Sequence, residues 1–227
     1  MHIEEDTCKS IHTTDTLLNF NRAGVPLIEI VTKPCISSGK EAMEYLEKLR
    51  ETLLYLGISD VKIEEGSMRC DVNVSVSDSD KLGTKCEVKN IGSISSVGLA
   101  IDYEIKRQEE LIKKGEKIVE QTRRFDDKTK TTILMRYKET GNDYRYFPEP
   151  DIPFIYIDDE WLKEISDNMP ILTDELKNKY VELGINNNNI KTIISNKNIC
   201  NFLESIIDKC NPVIASNLLT GDVLSYL

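Results

Sequence analysis

Ionisable side chains gather at four places in this chain where their types and spacing could do chemistry. His2, Glu4, Glu5 and Asp6 set one imidazole among three acids. Carboxylate oxygens suit hard cations such as Mg²⁺; the same residues read equally as a solvated terminus. Glu29 interrupts the apolar run Val25 to Thr32 (VPLIEIVT). A lone carboxylate inside a buried strand is costly unless it is paired or bound to metal. The alternative is a strand-end Glu that reaches solvent or an Arg. Third, Arg69, Asp71, Asn73, Glu87 and Lys89 fall on alternate positions of two short runs. One face carrying both charges and an Asn could bind metal, phosphate and substrate together, or be an ordinary wet sheet face. Fourth, Arg123, Arg124, Arg136 and Lys138 precede Asp143, Tyr144, Arg145, Tyr146 and Phe147. Arg and aromatic rings stack on unpaired bases, and they also pack at domain edges. No Walker loop or G-x-G-x-x-G is present, so a familiar phosphate loop is excluded. No Ser-His-Asp or Cys-His pattern indicates a covalent nucleophile.

The elements that must position these residues follow from periodicity. Val25 to Thr32 reads as a buried strand. Ser38 with Glu41 makes a possible capping box, Met43, Leu46, Leu49, Leu53 and Leu54 keep helical spacing, and Gly57 supplies a stop. Met68 to Val76 (MRCDVNVSV) alternates. Met68, Cys70, Val72, Val74 and Val76 share one face, and Arg69, Asp71, Asn73 and Ser75 the other. Lys85 to Asn90 completes an antiparallel hairpin with it. A long amphipathic helix is expected over Ser96 to Lys114, closed by Gly115. Strands are expected over Lys117 to Phe125 and Thr131 to Tyr137. The Pro-rich stretch Tyr144 to Pro153 (YRYFPEPDIP) divides the chain. Beyond it helices are expected over Asp158 to Asn168, Thr173 to Leu183, Asn189 to Asn196 and Ile199 to Asp208, with a further helix begun at DVLSYL. The run Asn186 to Asn189 reads as a loop or coding bias.

Composition sets bounds. The chain has 227 residues, 40% apolar and 30% charged, which allows a sizeable core. No apolar run approaches the roughly 20 residues of a membrane helix, and MHIEEDTCKS is too polar for a secretory signal and too acidic for a transit peptide. The net charge of -10 argues against broad electrostatic binding of nucleic acid. Cysteines at 8, 35, 70, 86, 200 and 210 form no Cys-x-x-Cys pair. Reduced thiols in a cytoplasmic setting are therefore expected, and no zinc site from this chain alone.

These residues sit in stretches that resemble the B subunit of the tRNA-dependent amidotransferases (the aspartyl/glutamyl-tRNA amidotransferase, or GatB, family). They are HIEED at 2–6, NRAGVPLIEIVTKP at 21–34, EEGSMRCDVNVSV at 64–76, EVKNIGS at 87–93, QTRRFD at 121–126 and MRYKETGNDYRYFPEPDIP at 135–153. The resemblance is dense to about residue 160 and looser beyond. It implies a B subunit working with an amidase, the A subunit, and with a small C subunit. The amidase would release ammonia from glutamine. The B subunit would use ATP to phosphorylate the side-chain carboxylate of Glu-tRNA(Gln) or Asp-tRNA(Asn), and ammonia would displace the phosphate. By the same resemblance Glu5 and Glu29 match the metal-binding carboxylates, and Asp71 an acid of the same cavity. Arg69, Asn73 and Lys89 are inferred contacts to phosphate or substrate, Arg69 and Lys89 to ATP. The expected cofactors are ATP and Mg²⁺.

The resemblance also implies departures. The family's protein starts before Met1, with a strand supplying a further His and Glu and a cysteine-bearing zinc region; it ends beyond Leu227 in a tRNA-gripping tail domain. Cys8 stands where the family usually has Gly, which puts the local turn in question. The chain thus reads as a central fragment, inactive alone. The expected fold is α+β: a cradle around a mostly antiparallel sheet over 1–157, then the start of an all-α segment over 158–227. Cytoplasmic location is expected, with an organellar source left open by the upstream segment. The competing reading is a non-catalytic assembly or tRNA-binding module on the same scaffold.

Overall fold

The computed structural model describes residues 1–137 and 153–226. Helices and strands are mixed, as expected for the α+β class. Contacts group the chain into two compact units, Met1–Ser37 and Ser38–Leu227.

The first unit is built from four short strands: β1 (His2–Glu5), β2 (Lys9–His12), β3 (Thr16–Asn19) and β4 (Pro26–Glu29). β1 pairs antiparallel with β4, and β2 with β3. Only β4 is marked by an apolar run. β1 offers a single aliphatic residue, and Ile3 is 73% exposed, so no hydrophobic alternation announces that strand. The link between the pairs is tied by Asp6: its amide donates to the Val25 carbonyl (2.9 Å) and its carboxylate pairs with Arg22 Nε (2.8 Å). Among the described residues, left-handed backbone at non-glycine positions is confined to Val61, Asn90 and Lys130. Cys8 is therefore not in the conformation that would demand glycine, and a side chain is accommodated there.

The second unit opens with α1 (Gly39–Leu56). Ser38 Oγ accepts from the Glu41 amide at 3.2 Å, and Gly57 ends the helix at φ 73, a left-handed cap that glycine adopts without steric cost. Then follow β5 (Val72–Val74), β6 (Cys86–Lys89), α2 (Ile94–Lys113), β7 (Gln121–Asp126) and β8 (Thr131–Tyr137). The sheet order is β5-β6-β7-β8. β5–β6 and β7–β8 are antiparallel; β6–β7 is parallel because α2 carries the chain back across the sheet before β7 begins. The sheet is thus mixed. β5 is shorter than its alternating run suggests. At its last paired residue and just beyond, its backbone is held by a side chain: Gln108 Nε2 donates to Val74 O (3.0 Å) and the Val76 amide donates to Gln108 Oε1 (3.0 Å). α2 starts earlier than expected because Ser93, not a later residue, caps it, accepting from the Ser96 amide at 3.1 Å.

The α2 face toward the sheet carries Val97, Ala100, Ile101, Glu104 and Gln108, a helical stripe in which two polar residues are fully buried. Val74, Cys86, Val88 and Phe125 meet it from the sheet. α1 packs on α2 through small residues: a Cβ added at Gly39 would lie 2.4 Å from the Gly98 carbonyl oxygen. Glu104 accepts from Arg107 Nε (3.0 Å), Gln108 Nε2 (2.9 Å) and Thr132 Oγ1 (3.0 Å), and lies 3.6 Å from Arg123 Nε. Burial opposes its ionisation. The hydrogen bonds from Arg107 and Gln108 and the Arg107 charge outweigh burial, and the carboxyl is held below its usual range.

The helical part comprises α3 (Asp159–Asp167), α4 (Thr173–Glu182), α5 (Asn187–Ser195), α6 (Lys197–Ile206), α7 (Pro212–Leu218), a π-helical turn (Leu219–Val223) and α8 (Leu224–Tyr226). Tyr180, Ile193 and Leu203 centre its core, which Tyr55 of α1 joins, its hydroxyl donating to Ile194 O at 2.9 Å. The asparagine run is not a loop. Asn186 caps α5, accepting from the Asn189 amide (2.9 Å), and Asn196 and Asn211 cap α6 and α7 in the same way.

Candidate functional site

In the first unit the β1–β4 register sets His2 opposite Glu29 and Glu5 opposite Pro26. Side chains alternate along a strand, so His2 and Glu4 share the face of Glu29 while Glu5 points away. His2 Nε2 lies 2.6 Å from Glu4 Oε1 and 3.0 Å from Glu29 Oε2. One ligand atom from each of the three lies within 4.8 Å of the other two. The hydrogen bond with His2, and next that with Glu29, keep the Glu4 carboxyl below its usual range, so it offers an ionised oxygen at neutral pH. Two carboxylates and an imidazole form a donor set that fits a hard divalent cation.

Of the two expected metal-binding carboxylates, Glu29 lies in this cluster and Glu5 does not; Glu4 and His2 are the side chains beside Glu29. A single step along β1 reverses the side chain, and Glu5 Oε1 instead sits 3.4 Å from where a Cβ on Gly24 would be. Glu29 is also not a buried strand carboxylate. It is the last residue of β4 and its side chain is 48% exposed. The spacing of His2 and Glu4, two apart, was the available signal, and it becomes legible once HIEE is read as a strand.

In the second unit β5 and β6 bring the expected polar face together. Val72 pairs with Val88, Asn73 with Glu87 and Val74 with Cys86, so the valines and cysteine face α2, and Asn73, Glu87 and Lys89 face outward. Asp71 joins that face just before β5: Lys89 Nζ donates to Asp71 Oδ2 at 2.7 Å and lies 3.2 Å from Glu87 Oε1. Partial burial disfavours the Lys89 charge, but the Asp71 hydrogen bond and charge, then those of Glu87, prevail and raise its pKa, so the ammonium stays charged through the neutral range. Thr122 of β7 adds a hydroxyl to Glu87 Oε2 at 3.1 Å. Asp71, Asn73 and Lys89 thus share one face. Arg69 lies in the irregular segment ahead of β5 and is exposed, and the structure does not place it in the strand. Burial pushes the neighbouring Cys70 thiol up to about 11, which leaves it protonated and a poor nucleophile at neutral pH.

The basic and aromatic patch is only partly described. Lys138, Asp143, Tyr144, Arg145, Tyr146 and Phe147 lie outside the described residues, as does most of the Pro-rich stretch. Arg123 and Arg124 do not act together, because consecutive strand residues face opposite ways. Arg123 turns toward α2 and is bound to Thr132 and Gln121; Arg124 is exposed on the other face.

Residues 1–163 match the family described as the GatB/GatE catalytic domain. Over its whole length the chain is 47% identical to the B subunit of the aspartyl/glutamyl-tRNA(Asn/Gln) amidotransferase of Geobacillus thermodenitrificans, covering 49% of that protein. It is 49% identical to the protein of the same name from Staphylococcus aureus (strain JH9), again covering all of this chain and 49% of that one. The chain spans about half the length of the curated relatives it matches. It belongs to the GatB/GatE catalytic-domain family.

Proposed function

We propose that this chain carries the kinase and amidation chemistry of the B subunit of an aminoacyl-tRNA amidotransferase. What carries the reading is the family match over residues 1–163 together with a His2, Glu4 and Glu29 donor set suited to a hard cation. In this reading the substrate is Glu-tRNA(Gln) or Asp-tRNA(Asn), a partner amidase (the A subunit) supplies ammonia from glutamine, and a small C subunit completes the assembly. No helix among the described residues is long and apolar enough to cross a membrane.

A carboxylate resists ammonia because oxide or hydroxide would have to leave. Transfer of the ATP γ-phosphoryl to one carboxylate oxygen makes an acyl phosphate. Ammonia then forms the C–N bond as the C–O bond breaks, phosphate leaves with that oxygen, and a proton is lost from nitrogen. His2, Glu4 and Glu29 would hold Mg²⁺, which when bound neutralises polyphosphate charge. On the sheet face of the second unit Lys89 offers an N–H donor, its ammonium held in place by Asp71 and Glu87. Asn73 adds neutral hydrogen-bonding capacity on the same face, and Arg69 a cation from the preceding segment. An ATP-dependent Glu-tRNA(Gln) amidation assay on the full-length protein with its partners tests the reading. Amide formed only with ATP and a divalent cation supports it, and no amide in the assembled complex refutes it.

The donor assignment has its own test. In the 227-residue chain, Glu4→Gln and Glu29→Gln are each expected to weaken Mn²⁺ binding at least about tenfold, while Glu5→Gln leaves it within about twofold. Isothermal titration checks this; a larger loss from Glu5→Gln than from Glu4→Gln would return the site to Glu5.

A further inference from the structure

The outward face of the four-stranded sheet carries a second cation beside Lys89, Arg124 of β7. In the parallel β6–β7 register Lys89 pairs with Arg124, and Glu87 with Thr122. Neighbouring strands lie about 4.8 Å apart, so Lys89 and Arg124 sit side by side across β6 and β7, with Asp71, just ahead of β5, on the other side of Lys89. The two cations are not equivalent. Lys89 has three N–H donors; one goes to Asp71 (2.7 Å), and Glu87 engages a second (3.2 Å). Arg124 is exposed, and its side chain makes no hydrogen bond or ion pair among the described residues. Its neighbour Arg123 is committed to the buried side, where Thr132 and Glu104 hold it. The pair thus offers one remaining Lys89 donor beside an uncommitted guanidinium fork.

We propose that Arg124, with the third donor of Lys89, binds a phosphate group on this sheet face. A planar fork takes two phosphate oxygens at once, and the adjacent ammonium reaches a third. Asp71 and Glu87 already offset the Lys89 charge, so the positive charge available to an incoming anion is that of Arg124 rather than Lys89. The phosphate could belong to a nucleotide or to the backbone of an RNA. Placing phosphate chemistry on this face rests on the function proposed above.

The test uses the 227-residue chain and three probes: ATP with Mg²⁺, tripolyphosphate alone, and a short RNA duplex. Arg124 is exposed, so Arg124→Gln is expected to melt like the parent. It should weaken tripolyphosphate or RNA binding about ten- to a hundredfold. Arg124→Lys should recover part of that loss, and Lys128→Gln, an exposed cation in the β7–β8 turn, should change nothing. Loss on ATP and tripolyphosphate with RNA unchanged assigns the site to the nucleotide. Loss on RNA alone assigns it to the RNA backbone. If the parent binds ATP and Arg124→Gln binds all probes equally well, the Arg124 inference fails and the function reading survives. If the parent binds tripolyphosphate but not ATP, and Arg124→Gln loses it, the converse holds. A parent that binds none of the three overturns both.

Discussion

Replacing Glu29 by glutamine in the full-length protein, assembled with its partners, is expected to lower amide formation at least about a hundredfold while glutamine hydrolysis continues. The substitution keeps the size of the side chain and removes one charged oxygen from the cluster with His2 and Glu4. A half-exposed strand-end side chain contributes little to folding, so the loss should fall on the chemistry and not on stability. The readout is the yield of Gln-tRNA beside the release of glutamate from free glutamine. Parallel loss of both would point to failed assembly. Unchanged Gln-tRNA yield would remove Glu29 from the site.

The second large effect concerns the support beneath the Asp71–Lys89 face. Glu104 is fully buried and is the shared acceptor for Arg107, Gln108 and Thr132, with Arg123 close by. Changing Glu104 to leucine leaves two part-buried guanidinium groups without their carboxylate. Breaking one side of a buried ion pair costs about 3–5 kcal/mol. Glu104→Leu is therefore expected to shift the urea midpoint down by an amount corresponding to that range, and a shift below about 1 kcal/mol would contradict the network's role. The pH dependence has a definite sign. The folded carboxyl titrates below the unfolded range of about 4.3, so its stabilisation is complete above that value and disappears as pH falls through the folded pKa. In acid titrations of stability the parent should lose this contribution and Glu104→Leu should not.

Much of this could be read from local pattern. Ser38 and Gly57 bound α1 because caps act within a few residues of the helix they end. The Asp71, Asn73 and Lys89 face follows from alternation, since β5 and β6 are one hairpin and their register is fixed nearby. What local pattern could not supply were pairings between distant residues. β1 is nearly devoid of apolar alternation and exists because β4, more than twenty residues later, pairs with it. Without that register Glu4 and Glu5 look interchangeable; with it they point in opposite directions. Arg123 and Arg124 carry the same lesson. As adjacent letters they suggest one patch, and as strand residues one is structural and the other faces out. The parallel β6–β7 pair was likewise hidden, since it depends on α2 crossing the sheet. The asparagines at 186, 196 and 211 were legible in principle, because each precedes an apolar-periodic segment at an N-cap position.

The most direct test of the central claim follows one oxygen atom. Glu-tRNA(Gln) carrying ¹⁸O in the glutamate side-chain carboxylate is converted by the full-length protein in its complex, with ATP and glutamine, and the released phosphate is examined by mass spectrometry. Carboxylate phosphorylation predicts one labelled oxygen in phosphate for each amide formed. Amide formation with unlabelled phosphate would contradict it.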